Sequence, residues 1–364
     1  MISTGDINGL SDALRSISEL RLYRYRLPLE SRPHFYRGGL ILHLKTEEQE
    51  VLSEIAPLPG FSSESIETAE EITIAWLAQL HHRLEGEQVT TRDARLPIPH
   101  IPIIPSVAFG LETALLALCT PPGELFPNDV LLNALITGTP DTWVDQTDLI
   151  MEKGFTTLKI KVGRHDHKAE ADQVLKLRAA LPDDIKIRLD ANRAWDLTTA
   201  IIFGRKLDKA NIEYIEEPVS SPEELIPFHQ ATGIPFALDE SIDEWIGPGN
   251  DQEIELPAGT RALIVKPMLR GQLMDSIRLL NIAAEKSIQG VITSTLESEI
   301  GLYHLAGLAS RYCPGVACGL GTRRIFAEGL LEDGTIWERS KWPPFSAPRF
   351  EDLNSMYLEE IYAW

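Results

Sequence analysis

Short apolar runs alternate with helix-like segments through most of the chain after residue 130. Eight of these runs are rich in β-branched residues and bounded by turn residues, which predicts buried strands. They are 130–136, 156–161, 185–190, 212–217, 235–239, 261–266, 290–295 and 316–320. Between them, 272–285 carries apolar residues at helical spacing, and 141–153 opens with Asp141, a favourable N-cap residue. The weakest crossover is 243–258, which holds Gly, Pro and Asn where a helix is expected.

The alternation of strands and crossover segments indicates an α/β fold. Eight strands in about 200 residues favour a parallel (β/α)8 barrel of the TIM type over an open doubly wound sheet. The open sheet stays an alternative at this point, because the number of strands alone does not establish that a barrel closes.

The first 125 residues follow a different pattern. Three segments alternate or run apolar, which predicts an antiparallel meander of strands at 22–29, 39–45 and 50–56. Helical periodicity follows at 65–84 and 106–118, and the second of these helices is apolar nearly all round, as a buried helix is. We therefore predict a separate α+β domain in this part of the chain.

Prolines in the stretch PPGELFP mark a boundary between this first domain, residues 1–125, and a barrel domain, residues 126–329. The last segment, 330–364, has too many aromatic residues for a disordered tail. We expect this C-terminal segment to pack back onto the first domain.

Composition and charge narrow the classes of function. Of 364 residues, 43% are hydrophobic and 24% are charged, and no apolar run approaches the ~20 residues that cross a bilayer. The 54 Asp and Glu against 34 Lys and Arg give a net charge of −20, which disfavours nucleic acid and anionic membranes as partners. The N-terminus lacks the pattern of a secretory signal, and the 3 cysteines form no CxxC pair, so we expect a cytoplasmic protein in a reducing compartment.

Charged residues stand at the carboxyl ends of five consecutive predicted strands. They are Lys159, Lys161, Asp190, Glu216, Glu217, Asp239, Glu240 and Lys266. In a closed barrel these strand ends meet at the face where βα loops build active sites. A single carboxylate there is readily explained as half of an ion pair, but the joint placement of acids and lysines favours a functional site.

Converging carboxylates in an apolar-walled cavity repel one another and lose hydration, so we expect a cation among them. Asp190, Glu216 and Asp239, from three adjacent strands, supply only oxygen ligands, which favours Mg²⁺ over zinc. The 9 histidines show no metal-ligand spacing.

The lysines indicate a reaction type. A free lysine, with a pKa of about 10.4, is a poor base at neutral pH, but desolvation and neighbouring cations lower that value. By strand alternation Lys159 and Lys161 both point into the barrel, where we expect each to lower the proton affinity of the other. A lysine base beside Mg²⁺ suits removal of a proton α to a carboxylate, because the metal neutralises charge that develops on the enediolate. We therefore expect a small-molecule carboxylate as substrate.

The motifs KIKVG, RLDANRAW, IEEP, LDES and VKP, in this order, resemble those of the enolase superfamily and its muconate-lactonizing-enzyme-like subgroup. The stretches SEIAPLPGFSSES, IPSVAFG, TSTLES and GLGT are similar to those of its o-succinylbenzoate synthases. The resemblance implies a modified (β/α)7β barrel with an α+β capping domain, built from the N-terminal region and the C-terminal segment. It also implies Mg²⁺, with Mn²⁺ as a substitute, and syn dehydration of 2-succinyl-6-hydroxy-2,4-cyclohexadiene-1-carboxylate to o-succinylbenzoate in menaquinone biosynthesis.

Matched position by position, the resemblance assigns roles to the strand-end residues. The acids of the third, fourth and fifth strands are the implied metal ligands, with Glu217 as a supporting residue. Lys161 is the implied base, and Lys159 lies against the substrate carboxylate. Lys266 supplies the stabilising charge on the opposite side of the substrate.

Further positions match substrate contacts of that family. The resemblance assigns the succinyl arm to Thr293, where the family has serine, to Ser294 and to Gly319, although GLGT departs from the GLDT of some relatives. Arg188 and Asn192 match positions near the substrate ring and the metal. For Arg188 an ion pair on the surface or inside the barrel is the alternative.

The segment 32–39 (RPHFYRGG) is predicted to form a mobile lid over the barrel mouth. It combines two glycines and aromatic residues with Arg37, which we expect to contact substrate. An ordinary solvated hairpin is the alternative.

Three other functions stay open on the sequence alone. An N-acylamino acid racemase or a dipeptide epimerase would use Lys161 and Lys266 on opposite faces of an α-carbon. A metal-free aldolase would use Lys266 as a Schiff base, but leaves the carboxylates unexplained. A non-catalytic barrel predicts loss of the lysines or the acids, and all of them are present. The sequence makes no prediction of the oligomeric state.

Overall fold

A computed structural model of the chain describes residues 14–86, 100, 104–120, 124–207, 210–247, 254–331, 340–342 and 346–364. Its two parts are an antiparallel sheet with helices and a parallel barrel ringed by helices. The first residues of the predicted proline-rich boundary, 121–123, the stretch 248–253 of the weakest crossover and parts of the C-terminal segment lie outside the described residues. Within the described ranges, no helix is long and apolar enough to cross a membrane.

The N-terminal part, which we call the capping domain, contains β1 (Ile17–Leu29), β2 (Arg32–Thr46), β3 (Glu50–Ile55), α1 (Ile66–Gly86) and α2 (Pro105–Cys119). A last strand, β13 (Leu358–Ala363), joins the antiparallel sheet in the order β13-β1-β2-β3. The backbones of Leu20 and Trp364 exchange hydrogen bonds of 2.7 and 2.8 Å beside this pairing. The predicted meander is therefore present, and the end of the chain pairs with its first strand.

Strand alternation builds the core of the capping domain. The alternate leucines of β2 are buried against α2, and β3 presents Ser53 to the same helix. The hydroxyl of Ser53 donates to Gly110 O at 2.7 Å. A Cβ at Gly110 would lie 2.8 Å from Glu54 O, so only glycine permits this close approach of helix and strand. The predicted second helix is thus buried, as its apolar pattern indicates.

Short parallel strands form the barrel: β4 (Leu131–Leu132), β5 (Ala134–Ile136), β6 (Thr157–Lys161), β7 (Lys186–Asp190), β8 (Ile212–Glu216), β9 (Phe236–Leu238), β10 (Thr260–Val265), β11 (Gln289–Ile292) and β12 (Ala317–Cys318). The helices around them are α3 (Thr147–Glu152), α4 (His167–Ala180), α5 (Leu197–Lys206), α6 (Leu225–Thr232), α7 (Ile242–Trp245), α8 (Pro267–Arg270), α9 (Leu273–Glu285) and α10 (Glu299–Tyr312). Strands β5 to β11 pair in sequence order, and β12 pairs with β4.

The short β4–β12 ladder joins the two edges of the long sheet. Beyond β11, Thr293 forms a parallel bridge with Gly319, which follows β12. From β12 the pairing passes to β4, and β4 leads through Asn133 into β5. The barrel therefore closes, which confirms the predicted modified TIM fold and excludes the open doubly wound sheet.

The first predicted barrel strand, 130–136, is divided at Asn133. On one side β4 pairs with β12, and on the other β5 pairs with β6. The N–H of Asn133 donates to Cys318 O at 3.0 Å, at the point where the chain changes partner. The two halves of this strand thus pair with different neighbours at the seam of the barrel.

The segment 141–153 is not one helix with Asp141 as its N-cap. Two 3₁₀ turns, Pro140–Thr142 and Val144–Gln146, precede α3. Trp143 lies between these turns and is buried in the barrel core, which accounts for the break in the predicted helix.

The prediction of a lid at 32–39 is wrong, because these residues begin β2. Leu29 pairs with Arg32 across a turn at 30–31, and the antiparallel pairing continues along both strands. The hairpin alternative is the one that the structure shows. Its outer part is solvated, since Tyr36 is 57% exposed.

Arg188 lies inside the barrel, below the strand ends. Its Nε is 2.6 Å from Glu213 Oε2, while Nη1 donates to Ala317 O at 2.6 Å and Nη2 to Gln289 Oε1 at 3.1 Å. The guanidinium carbon lies 5.1 Å from the ring centroid of Tyr214. The ion pair inside the barrel, the alternative stated for Arg188, is therefore the arrangement that the structure shows.

Replacing Arg188 with Met should destabilise the barrel by about 3–5 kcal/mol, because the buried carboxylate of Glu213 loses its main partner. Lys186→Met is the matched control. Its ammonium group is 3.3 Å from Glu213, but its side chain is 52% exposed. Loss of this exposed pair should cost at most ~1 kcal/mol. Urea unfolding measures both, and equal midpoints for the two variants would contradict the interior role of Arg188.

Candidate active site

Parallel register brings the strand-end residues together at the carboxyl-terminal mouth of the barrel. Lys161 pairs with Asp190, and Asp190 with Glu216, along β6, β7 and β8. Asp239 follows β9, the next strand, and Lys266 follows β10. Because these strands are consecutive, the residues form one arc of charged groups.

Lysine ammonium groups lie between the carboxylates of this arc. Lys159 Nζ is 2.9 Å from Asp190 Oδ2 and 2.8 Å from Glu216 Oε2. Lys161 Nζ is 3.2 Å from Asp190 Oδ2 and donates to Asn192 Oδ1 at 2.8 Å. Further round the arc, Lys266 forms an ion pair with Asp239. The predicted metal ligands, the predicted lysines and Asn192 are thus brought together.

The carboxylates are buried, and burial changes their proton affinities. Burial, with the charge of Asp190 beside it, raises the pKa of Glu216 to about 8. Burial also raises the pKa of Asp239. Burial would raise the pKa of Asp190 as well, but Lys159 and Lys161 hold it at about 2. Added positive charge at this place would therefore stabilise the ionised acids.

The predicted lowering of the pKa is wrong for Lys159, and Lys266 behaves in the same way. Burial alone would lower both values, but Glu216 and Asp190 raise the pKa of Lys159, and Asp239 and Glu216 raise the pKa of Lys266. The prediction rested on the mutual repulsion of Lys159 and Lys161, whereas carboxylates lie nearest to the ammonium groups of Lys159 and Lys266.

The donor set fits Mg²⁺ in kind. Asp190, Glu216 and Asp239 are buried, lie on adjacent strands and offer only oxygen. As the side chains stand, no three Asp, Glu, His or Cys side chains of the described residues are close enough to hold an ion. The ammonium groups of Lys159 and Lys266 lie among the carboxylates instead. Metal binding would require these lysines to swing away on their flexible four-carbon stems.

Glu217 ties the ends of β8 and β9 together. Its Oε1 accepts hydrogen bonds from the backbone N–H groups of Asp239 and Ser241, both at 2.8 Å, and from the Ser241 hydroxyl at 2.6 Å. Its Oε2 accepts from Arg193 Nε at 3.2 Å. Glu217 therefore fixes the backbone at Asp239.

The positions assigned to the succinyl arm lie on adjacent strand ends. Thr293 and Ser294 follow β11 and are half-buried, and Gly319 follows β12. A Cβ at Gly319 would lie 3.0 Å from Thr293 Cβ, so a larger residue there would push against the threonine. The hydroxyl of Ser294 lies 2.6 Å from that of Thr322. The structure thus groups all three positions at the barrel mouth.

Arg37 is not placed as a substrate contact. Its side chain is buried and donates to backbone carbonyls of Leu296, Gly38, Pro57 and Ala56, at 3.1, 2.7, 2.8 and 2.6 Å. A guanidinium engaged in this way joins the capping domain to the loop after β11. The predicted role is therefore corrected to a structural one, because the residue belongs to a strand and not to a lid.

Sequence reasoning missed buried glutamates that organise the loops of the mouth. Glu170 accepts from the N–H groups of Gly163, Arg164 and His165, at 2.7 to 3.1 Å, and so fixes the loop after Lys161. Its signal in the sequence is weak, because a glutamate in the first turn of a helix is common.

Glu54 and Glu297 form a second such group beside the loop after β11. Both are fully buried, and Thr295 N–H donates to Glu297 Oε2 at 2.6 Å. Glu54 lies within the predicted strand 50–56. A charged residue inside an apolar strand is a signal that could have identified it.

Two protein-family models match the chain. The model described as "MenC, N-terminal domain" matches residues 17–118, and "Enolase C-terminal domain-like" matches residues 143–250. The o-succinylbenzoate synthase of Pasteurella multocida (strain Pm70) is 32% identical over 355 residues, which are 95% of this chain and 98% of that protein. The o-succinylbenzoate synthase of Salmonella newport (strain SL254) is 34% identical over 346 residues, which are 92% of this chain and 98% of that protein.

Solved structures share the architecture. The o-succinylbenzoate synthase of Thermosynechococcus elongatus BP-1, solved with Mg in its active site, has a TM-score of 0.64 at 26% identity over 88% of this chain and 98% of that chain. A dipeptide epimerase from Enterococcus faecalis V583 has a TM-score of 0.70 at 18% identity, over 94% of this chain and 99% of that chain. At this identity the second likeness shows the fold alone.

Glu297→Gln should remove a pH dependence of stability. Burial, with the charge of Glu54, raises the pKa of Glu297 from 4.5 to about 7, although Thr295 donates to it. The folded state therefore binds this proton more tightly than the unfolded chain, and stability falls as pH rises through that window. Between pH 5 and pH 7 the free energy of unfolding of the wild type should fall by about 2 kcal/mol more than that of the variant. Urea unfolding at both pH values measures this, and parallel pH profiles would contradict it.

Proposed function

The chain belongs to the o-succinylbenzoate synthase family of the enolase superfamily, and on that premise we propose that it is the lyase that dehydrates 2-succinyl-6-hydroxy-2,4-cyclohexadiene-1-carboxylate to o-succinylbenzoate. The reaction belongs to menaquinone biosynthesis. The observation that carries the proposal is the arc of acids and lysines at the barrel mouth, in a chain that matches these synthases over nearly its whole length.

Lys161 is the proposed base. It is the most exposed of the three lysines, with 35% of its side chain exposed against 16% for Lys159 and 23% for Lys266. Asn192 accepts a hydrogen bond from its Nζ and so orients the amine at the mouth. In the proposed reaction Lys161 removes the proton α to the substrate carboxylate and returns a proton to the hydroxyl that leaves from the same face. A C–H and a C–O bond break, water departs and the ring becomes aromatic.

Lys159 and Lys266 are proposed to act as permanent positive charges. Lys159 would bind the substrate carboxylate, and Lys266 would stabilise anionic charge from the other side of the ring. Their raised pKa values support this role, because both ammonium groups stay charged at neutral pH. The same observation argues against the aldolase, which needs a neutral amine at Lys266 to form a Schiff base.

Asp190, Glu216 and Asp239 are the proposed ligands of Mg²⁺, with Mn²⁺ as a substitute. When bound, a divalent cation supplies positive charge beside the substrate carboxylate and lowers the proton affinity of nearby amines. The contribution of the protein is a preformed set of strand ends, which Glu217 holds in place at Asp239.

The remaining proposals concern the contacts of the succinyl arm and the location of the protein in the cell. We assign the arm to Thr293, Ser294 and the backbone at Gly319, which lie together at the ends of β11 and β12. A location in the cytoplasm, a reducing compartment, is part of the same proposal and rests on the small number and wide spacing of the cysteines in the sequence.

Racemisation of N-acylamino acids is the second candidate. It is favoured by one observation, the placement of Lys161 and Lys266 on β6 and after β10, to either side of the carboxylates. Racemisation forms no aromatic product, so an assay for the aromatic product distinguishes the two reactions.

Purified protein with Mg²⁺ should convert the cyclohexadiene carboxylate to an aromatic product, followed by ultraviolet absorbance. Lys161→Ala should lower kcat by about 10²- to 10⁴-fold, the usual contribution of a general base. EDTA should abolish the activity of the wild type, and added Mg²⁺ should restore that activity.

The matched control is Lys168→Ala, since Lys168 is an exposed lysine outside the arc and its loss should leave turnover unchanged. Circular dichroism should show that both variants fold. Racemisation of an N-succinylamino acid without any aromatic product from the cyclohexadiene would refute the proposal.

A further inference from the structure

Glu54 reaches from the capping domain to the N-terminus of a barrel helix. It lies on β3 and is fully buried. Its Oε1 accepts from Ser298 N–H at 3.0 Å, and its Oε2 accepts from Gly301 N–H at 2.7 Å and from the Ser298 hydroxyl at 2.5 Å. The hydroxyl of Tyr25 donates to Oε1. The carboxylate thus gathers four donors, three of them at the start of α10.

This contact compensates a buried negative charge without a cationic side chain. The first N–H groups of a helix have no partner within the helix, and its N-terminus carries partial positive charge. Glu54 satisfies the N–H groups of Ser298 and Gly301, while Ser298 itself caps Ile300 at 3.2 Å. The start of α10 is therefore held by a residue that lies 244 positions before Ser298 in the chain.

Glycines at two positions leave space for Glu54 and for the tyrosine that donates to it. At Gly301 a Cβ would lie 2.6 Å from Glu54 Oε2, so a side chain there would displace the carboxylate. At Gly39, which pairs with Tyr25 across the sheet, a Cβ would lie 2.6 Å from the tyrosine ring. The absence of side chains at these two glycines allows both the carboxylate and its tyrosine to fit.

The residues between β11 and α10, 293–298, are consequently fixed at both ends. At one end Thr293 is bridged to Gly319, and at the other Ser298 is bound to Glu54. Between them Leu296 O accepts from Arg37 at 3.1 Å. We call residues 293–298 the seventh loop.

We propose that Glu54 is a positioning residue of the active site: by capping α10 it sets the seventh loop, and with it the hydroxyls of Thr293 and Ser294 that take the succinyl arm. This inference rests on the proposed function, because the substrate arm is what the loop would hold. Glu54 has no contact with the strand ends that carry the lysines and acids. Its loss should therefore weaken substrate binding more than it slows the chemical step.

Glu112 offers a matched control. It also lies on the capping domain and accepts a hydrogen bond from a helix N-terminus, that of α9, where Leu273 N–H donates to its Oε2 at 2.5 Å. It joins the same two parts of the molecule but does not contact the seventh loop. Glu112→Gln thus reports what a weakened domain junction does by itself.

The experiment compares wild type, Glu54→Gln and Glu112→Gln, each with Mg²⁺. In Glu54→Gln the KM for the cyclohexadiene carboxylate should rise about tenfold while kcat changes less than about threefold. The Kd of the product, o-succinylbenzoate, should rise in parallel, whereas the Kd of benzoate, which lacks the arm, should not. Amide hydrogen exchange should quicken at 293–301. In Glu112→Gln all five quantities should match the wild type.

Each outcome decides the question. Equal KM and exchange in Glu54→Gln and wild type would overturn the proposal, and so would an equal rise in both variants, which would show a general effect of the junction. If wild type makes no aromatic product, the proposed function fails, while the exchange data still test the loop. Should Glu54→Gln not fold, Tyr25→Phe removes one donor only and should shift KM and exchange in the same direction by a smaller factor. No shift in that variant would count against the proposal.

Discussion

Buried negative charge must be matched by positive charge or by hydrogen-bond donors close at hand, and this constraint governs the molecule. An ionised carboxylate in a dry interior costs several kcal/mol unless it is compensated. The barrel places Asp190, Glu216 and Asp239 at the ends of adjacent strands, where burial disfavours their ionisation and Lys159, Lys161 and Lys266 offset it. The parallel register of adjacent strands creates this placement, and closure through the β4–β12 ladder brings the ends of β11 and β12 to the same mouth.

A second class of buried acids is compensated by the backbone. Glu217, Glu170, Glu54 and Glu297 accept from backbone N–H groups of loops that surround the mouth, and all but Glu170 accept from hydroxyl groups as well. Such acids do no chemistry, but each fixes a loop to a neighbouring element, and a site held by rigid neighbours keeps its geometry. The two classes together explain why a chain with net charge −20 can bury so many carboxylates.

Much of the fold and the charged arc could be predicted from the sequence, because buried parallel strands are apolar and any charge in them stands out. The lysines and acids were found in this way, and their strand ends were placed within a residue or two. The hydrogen-bond partners of individual side chains could not be predicted. Arg188 lies two residues before Asp190 on β7 and therefore deeper in the barrel, where it forms an ion pair with Glu213. Arg37 was expected in a lid, but it lies within β2, which begins at Arg32, and its side chain donates to Leu296 O of the barrel domain. The pKa of Lys159 is raised, since the nearest charges belong to residues on other strands.

The central claim is that the three strand-end carboxylates act together on one divalent cation. Calorimetric titration of Mg²⁺ into the substrate-free protein tests it most directly, with Asp239→Asn set against Glu240→Gln, the adjacent exposed acid. The account predicts one Mg²⁺ per chain for wild type and Glu240→Gln, and no measurable binding for Asp239→Asn. Wild type that takes up no Mg²⁺, or Asp239→Asn that binds it as tightly as wild type, would contradict the account.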